Sequence, residues 1–209
     1  MTNDQSTSPI AVHPRLTDED RARSEYYAVL GRLFTAPPDA ALLRLLGEVP
    51  LADDALPLNQ AWNRLVQASR AMDADAAAQE YTDLFIGVGK AECNLHASFW
   101  VRDTLQRPLV AVRADLAELG LGRASGSVVY EDHLGALCET MRLLIAGGPD
   151  GRQPVPMDVQ RRFFERHVAP WANACVCAIS ECVVANYYAR VAEFAAIFLA
   201  VERDSLAMG

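Results

Sequence analysis

The sequence predicts an all-α protein, and three observations carry that prediction. Apolar residues recur at three-to-four spacing in successive blocks along the chain. Pro, Gly and Asp stand between the blocks, where they stop one helix or cap the next. The chain shows no convincing period-two stretch; the β-branched pair Val128-Val129 is too short and stands alone between a glycine loop and a helix start.

Residues 1–15 are polar, contain Pro9 and Pro14, and read as a disordered leader before a helical domain over 16–209. Thr17 caps a first helix whose opening turn holds Asp18, Glu19 and Asp20, acids that suit the positive end of the helix dipole. Its apolar face includes Tyr26, Val29, Leu30, Leu33 and Phe34, and Pro37-Pro38 ends it. Asp39 caps a short helix, Leu58, Trp62, Leu65 and Val66 restart the pattern, and Asp73 caps a helix that runs past Tyr81, Leu84 and Phe85 to the break at Gly87-Val88-Gly89.

Pro108 suits the first turn of a helix that ends before Gly120. Asp132 is expected to cap the next, which carries Leu134, Leu137, Met141, Leu144 and Ile145 and stops at Gly147-Gly148-Pro149. A helix with Val159, Phe163 and Phe164 follows, and after Pro170 one long apolar helix is expected from Trp171 towards Arg203. The total is about eight or nine helices, and the Pro- and Gly-rich stretch at 148–156 is the one segment with the composition of a hinge.

The 27 acidic residues outnumber the 19 basic ones, giving a formal charge of -8, which argues against a nucleic-acid footprint and suits a basic partner. The opening residues have neither the positive nor the apolar region of a secretory signal, so the expected home is the cytoplasm. In that compartment the five cysteines read as reduced thiols. Glu181, Arg190 and Glu193 interrupt the apolar carboxy-terminal segment, so no membrane span is expected there.

Several clusters invite a chemical reading. On a continuous helix Cys175 and Cys182 share a face while Cys177 points away, so these three and His167 do not close on one ion. Cys93, His96 and His133 lack the paired short spacing of zinc motifs, and Gly87-Val88-Gly89-Lys90 lacks the serine or threonine and the preceding strand of a phosphate loop. Glu131-Asp132-His133 is the densest polar cluster; acid–base work is one reading of it, helix capping the more ordinary one. The expectation is a binding protein with no catalytic residues, no metal and no cofactor.

Three segments, in order, carry a family resemblance: Tyr81, Leu84, Phe85, Gly87 and Gly89 followed by Ser98; Asp132-His133 opening an apolar helix with Glu139 and Met141; and Phe163 to Trp171, followed by a helix with Tyr187-Tyr188, Ala192 and Phe198. Together these resemble the TorD/DmsD/NarJ family of redox-enzyme maturation chaperones, from about Tyr26 to Glu202. Val88 stands where that family usually has proline, and Val129-Tyr130 replace its usual Glu-Pro.

The resemblance implies a cytoplasmic, all-α chaperone, monomer or homodimer, for a DMSO-reductase-family molybdoenzyme. Such a chaperone binds the twin-arginine leader, the apo catalytic subunit, or both, and assists cofactor insertion before export. It carries the leader-binding role to Leu84, Phe85, Ser98, Trp100, Glu131, Asp132 and His133, with Tyr26 as an addition. A leader with paired arginines before an apolar stretch needs carboxylates beside an aromatic groove; Glu131 and Asp132 would supply the charge, and Phe85, Phe99 and Trp100 the apolar wall. The alternatives are a structural helical subunit of a larger complex and a small metal- or nucleotide-dependent hydrolase using Asp132 and His133.

Overall fold

The computed structural model describes residues 16–87, 91–102, 107–123, 126 and 128–208. The amino-terminal leader and Gly89 of the glycine break lie outside them. Among the described residues there are ten α-helices and one π-helical turn: α1 (Asp18–Thr35), α2 (Ala40–Glu48), α3 (Pro57–Ala71), α4 (Ala74–Tyr81), π1 (Thr82–Ile86), α5 (Ala97–Trp100), α6 (Pro108–Glu118), α7 (Leu134–Ala146), α8 (Met157–His167), α9 (Ala172–Glu181) and α10 (Tyr187–Met208). No strand forms among them; the β-type pairing present is an isolated bridge between His96 and His133.

Local chemistry starts the helices as expected at several points. The Thr17 side chain accepts the Asp20 N–H while the Asp20 carboxylate reaches back to Thr17, closing a capping box. Asp39 and Asp73 cap α2 and α4 through their side chains. Pro108 opens α6, and Gly120 follows its end at φ +66°, a conformation that costs a residue without Cβ little.

Two expectations are corrected. The helix from Trp171 towards Arg203 is two helices, α9 and α10, separated at Cys182 to Asn186. The break has a tertiary cause: the buried Glu80 carboxylate accepts the N–H groups of Asn186, Tyr187 and Tyr188 at 2.8, 3.0 and 2.8 Å, and so anchors a fresh helix start. This division and the four-residue α5 bring the helix number above the expected eight or nine. The cap of α7 is His133, whose Nδ1 accepts the Gly135 N–H at 3.1 Å, and not Asp132, which is turned towards α5.

The core is a continuous cluster in which α1 lies against α7, and α10 packs on α3, α8 and α9. The α1–α7 crossing is close because it is lined by small residues. A Cβ on Gly135 would stand 2.3 Å from Thr35 Oγ1 and 3.0 Å from the Gly31 carbonyl oxygen, so only glycine fits. Far from this crossing, Arg23 of α1 donates to Glu202 of α10 and to Gln160 of α8 in a buried network. Burial pushes the Glu202 carboxyl upward and the Arg23 guanidinium works against that shift.

Candidate peptide-binding site

The site is organised where the chain leaves α4. After Tyr81 the helix widens into π1, whose last bond runs from the Gly87 N–H to the Thr82 carbonyl at 2.7 Å, and Gly87 ends it at φ +62°. The widening leaves Leu84 fully buried and turns Phe85 edge-on to Tyr81 and Tyr188, with ring centroids 5.1 and 5.0 Å away. The Cys93 N–H then returns to the Leu84 carbonyl at 2.9 Å, which sets the start of the segment leading to α5.

That segment is laced to the entrance of α7. The Leu134 N–H donates to the Leu95 carbonyl at 2.7 Å and the Ala97 N–H to the Asp132 carbonyl at 2.9 Å. Asp132 Oδ2 accepts both the amide and the hydroxyl of Ser98, at 3.1 and 2.5 Å. Trp100 folds back so that its indole N–H donates to the Asn94 carbonyl at 2.7 Å, while Phe99 beside it is exposed.

The rings of His96 and His133 meet at 4.9 Å, edge to face. His133 is buried, and burial together with His96 lowers its pKa to about 4, against the pull of Asp132. Because Nδ1 accepts the Gly135 amide, the proton of the neutral ring is assigned to Nε2.

Glu131 points the other way, into a cleft of about 490 Å³ that α1 and α7 line with Leu116, Leu121, Gly122, Arg123 and Val129. Ala28, Leu116, Leu121, Ala136 and Leu143 give it apolar walls, Glu131 and Glu139 give it two carboxylates, and Arg32 and Arg123 give it two guanidinium groups. Each carboxylate already has an arginine. Arg113 Nη2 stands 3.0 Å from Glu131 Oε2, an ion pair without an aligned hydrogen bond, while Arg142 bridges both oxygens of Glu139 at 2.7 and 2.8 Å. Burial raises the Glu131 pKa, but the Arg113 guanidinium and a backbone N–H overcome it and hold the carboxyl below its ordinary range.

The structure brings Ser98, Trp100, Glu131, Asp132 and His133 into one neighbourhood, with Leu84 and Phe85 beneath its leading loop. Their exposures differ. Leu84, Asp132 and His133 are buried supports, Phe85 and Trp100 are half-buried, and Glu131 is half-buried on the cleft wall with its Oε2 shielded from solvent. Tyr26 lies apart, against Trp62, Phe194 and Phe198. Sequence reasoning missed the α1 wall of the cleft and did not assign Glu139 a binding role. The available signal was the run of small residues, Ala28 and Gly31 on α1 with Gly135 and Ala136 on α7. Among the described residues no group of three His, Cys, Asp or Glu side chains is placed to hold a metal ion.

A model of the nitrate reductase delta subunit family matches residues 51–176, more than half of the chain. The chain belongs to the nitrate reductase delta subunit family. This is a family of redox-enzyme maturation chaperones, related to TorD and NarJ, and not a family of enzymes. Comparison with curated proteins gives no match. The span shared with the nitrate reductase delta subunit model contains π1, the α5–α7 lacing and Glu131, whereas α1 and α10 lie outside it. One wall of the cleft is therefore supplied from outside the matched span.

Proposed function

We propose that this chain is a cytoplasmic chaperone that holds the twin-arginine leader of a DMSO-reductase-family molybdoenzyme, and with it the apo catalytic subunit, until the cofactor is inserted and export follows. The observation that carries the reading is the cleft itself, an apolar trough that Glu131 and Glu139 line together with Arg32 and Arg123. A leader presents guanidinium groups before an apolar run. Carboxylates recognise the former bidentately and the trough takes up the latter. Phe99, Trp100 and Tyr130 offer further partly exposed aromatic surface near the α5–α7 lacing. The reading requires no turnover, cofactor or metal. Among the described residues no helix is long and apolar enough to cross a membrane.

Asp132 and His133, which the resemblance nominates for direct contact, are assigned here to holding the loop and the α7 entrance in place, because both are buried and engaged. Calorimetric titration with synthetic twin-arginine leader peptides tests the proposal. Saturable binding of a leader, weakened at least tenfold in Glu131→Gln with unchanged circular dichroism, supports it; a tenfold loss corresponds to about 1.4 kcal/mol. No binding of any leader, or unweakened binding in both Glu131→Gln and Glu139→Gln, overturns it.

A further inference from the structure

The arginines on the two cleft carboxylates hold them differently. Arg142 lies three positions along α7 from Glu139 and bridges both of its oxygens at 2.7 and 2.8 Å. Arg113 comes from α6, meets Glu131 Oε2 at 3.0 Å with one nitrogen, and makes no aligned hydrogen bond to it. That oxygen is shielded from water, whereas the Arg113 side chain is exposed. Glu131 is thus neutralised without being satisfied, and a better-aligned guanidinium has something to gain there.

The helix that carries Arg113 is tied down on two sides. Positions 113 and 115 stand about 200° apart on a helix, so Arg113 turns towards Glu131 while Asp115 turns towards α8. There the Asp115 carboxylate accepts Arg166 Nη1 at 2.8 and 3.0 Å and stands 2.6 Å from His167 Nε2. Val112 and Leu116, four positions apart on one face, are the buried residues of α6, and Arg152 donates to the Leu119 and Gly120 carbonyls just past its end. Loss of the Arg113 contact therefore leaves α6 attached by its α8 flank, its apolar face and its carboxy-terminal end.

We propose that Arg113 is a built-in competitor for Glu131: it occupies the carboxylate in the free chain, ties α6 to it, and gives way to a guanidinium of the ligand. The incoming group must dislodge it, because a guanidinium fork takes both oxygens of a carboxylate and Arg113 covers one of them. A lysine ammonium has no fork and is more strongly hydrated, so it recovers less on the same exchange. That preference belongs to Glu131. Arg113 lowers the affinity of every ligand that needs Glu131 by one common factor, since only chains with the carboxylate released can bind. The competition rests on the function proposed above; the tie between α6 and Glu131 does not.

Calorimetric titration compares the full chain with Arg113→Gln and Arg113→Lys, each with unchanged circular dichroism. The probes are a synthetic twin-arginine leader peptide and the same peptide with both arginines replaced by lysines. If Arg113 holds Glu131 in about nine of ten chains, Arg113→Gln binds both peptides about tenfold tighter, with their affinity ratio kept within about twofold, and Arg113→Lys falls between. Amide exchange without peptide is expected to quicken over 108–118 in Arg113→Gln and in Glu131→Gln alike. Equal or weaker leader binding in Arg113→Gln, or a changed affinity ratio, overturns the competition and leaves the leader reading standing. Binding of neither peptide to any of the three proteins overturns both. Unchanged exchange over 108–118 in the two variants overturns the tie, whatever the leader does.

Discussion

Ser98 and Asp132 are joined twice, with the amide and the hydroxyl of Ser98 both donating to the same carboxylate oxygen at 3.1 and 2.5 Å. The Asp132 carbonyl adds a third tie through Ala97, so one residue fixes the start of α5 with both its side chain and its backbone. The consequence is a loop whose position depends on a buried charge.

Replacing Asp132 by alanine removes that charge's acceptors from two donors. The expected loss is about 2–3 kcal/mol of unfolding free energy, in the range for hydrogen bonds to a charged group. Ser98→Ala keeps the amide bond and loses about 1 kcal/mol. Urea denaturation of the two variants checks the order; a larger loss in Ser98→Ala than in Asp132→Ala contradicts this account.

At the α1–α7 crossing, Gly135→Ala drives a methyl group into Thr35 and the Gly31 carbonyl. Overpacking of this kind costs about 1–3 kcal/mol. Adding Thr35→Ala removes the nearest atom and restores part of the loss, while the backbone contacts keep the rest. Thermal denaturation of the single and double variants measures the coupling.

Glu139 is already occupied by Arg142, so a leader arginine must compete for it. Arg142→Gln frees the carboxylate and is expected to tighten leader binding several-fold, with Glu139→Gln weakening it. Calorimetry at low and at high salt separates the charge contribution, because a partly exposed pair is screened. Weaker binding in Arg142→Gln counts against an arginine-reading role for Glu139.

His133 supplies a pH dependence with a definite sign. Its folded pKa is about 4 against 6.5 for the free side chain, so between these values the unfolded chain binds the proton and the folded one does not. This contribution to stability is present above pH 6.5 and declines as pH falls towards 4, by up to about 1.4 kcal/mol per pH unit. Protonation of Nδ1 also removes the acceptor that caps α7. His133→Asn keeps a capping oxygen without titrating, and its stability profile is expected to be flatter over this window; identical slopes in the two proteins refute the assignment.

Helix starts were legible in the sequence where the cap is a neighbour of what it caps, as with Thr17, Asp39, Asp73 and Pro108. The break before α10 was not, because the group that anchors it, Glu80, lies 106 positions before Asn186. The expectation of Asp132 as the α7 cap failed for the same reason: Ser98, 34 positions earlier, claims the aspartate. For the site, the dense polar cluster at Glu131 was visible. Its opposite wall was not, since Ala28 and Gly31 on a helix give no sign of which neighbour approaches them.

The Arg23–Glu202 pair spans 179 positions and is shielded from water on both sides. During vectorial synthesis α1 leaves the ribosome long before Glu202, the buried partner of Arg23, exists, so in the nascent chain water must serve the part of the guanidinium that Asp20 does not and this flank of α1 stays open. Closing the fold early would bury the Arg23 guanidinium without Glu202, leaving it to Asp20 on the same helix. Late closure is thus written into the charge pattern, and a ribosome-bound chain arrested before Glu202 should remain protease-sensitive along α1.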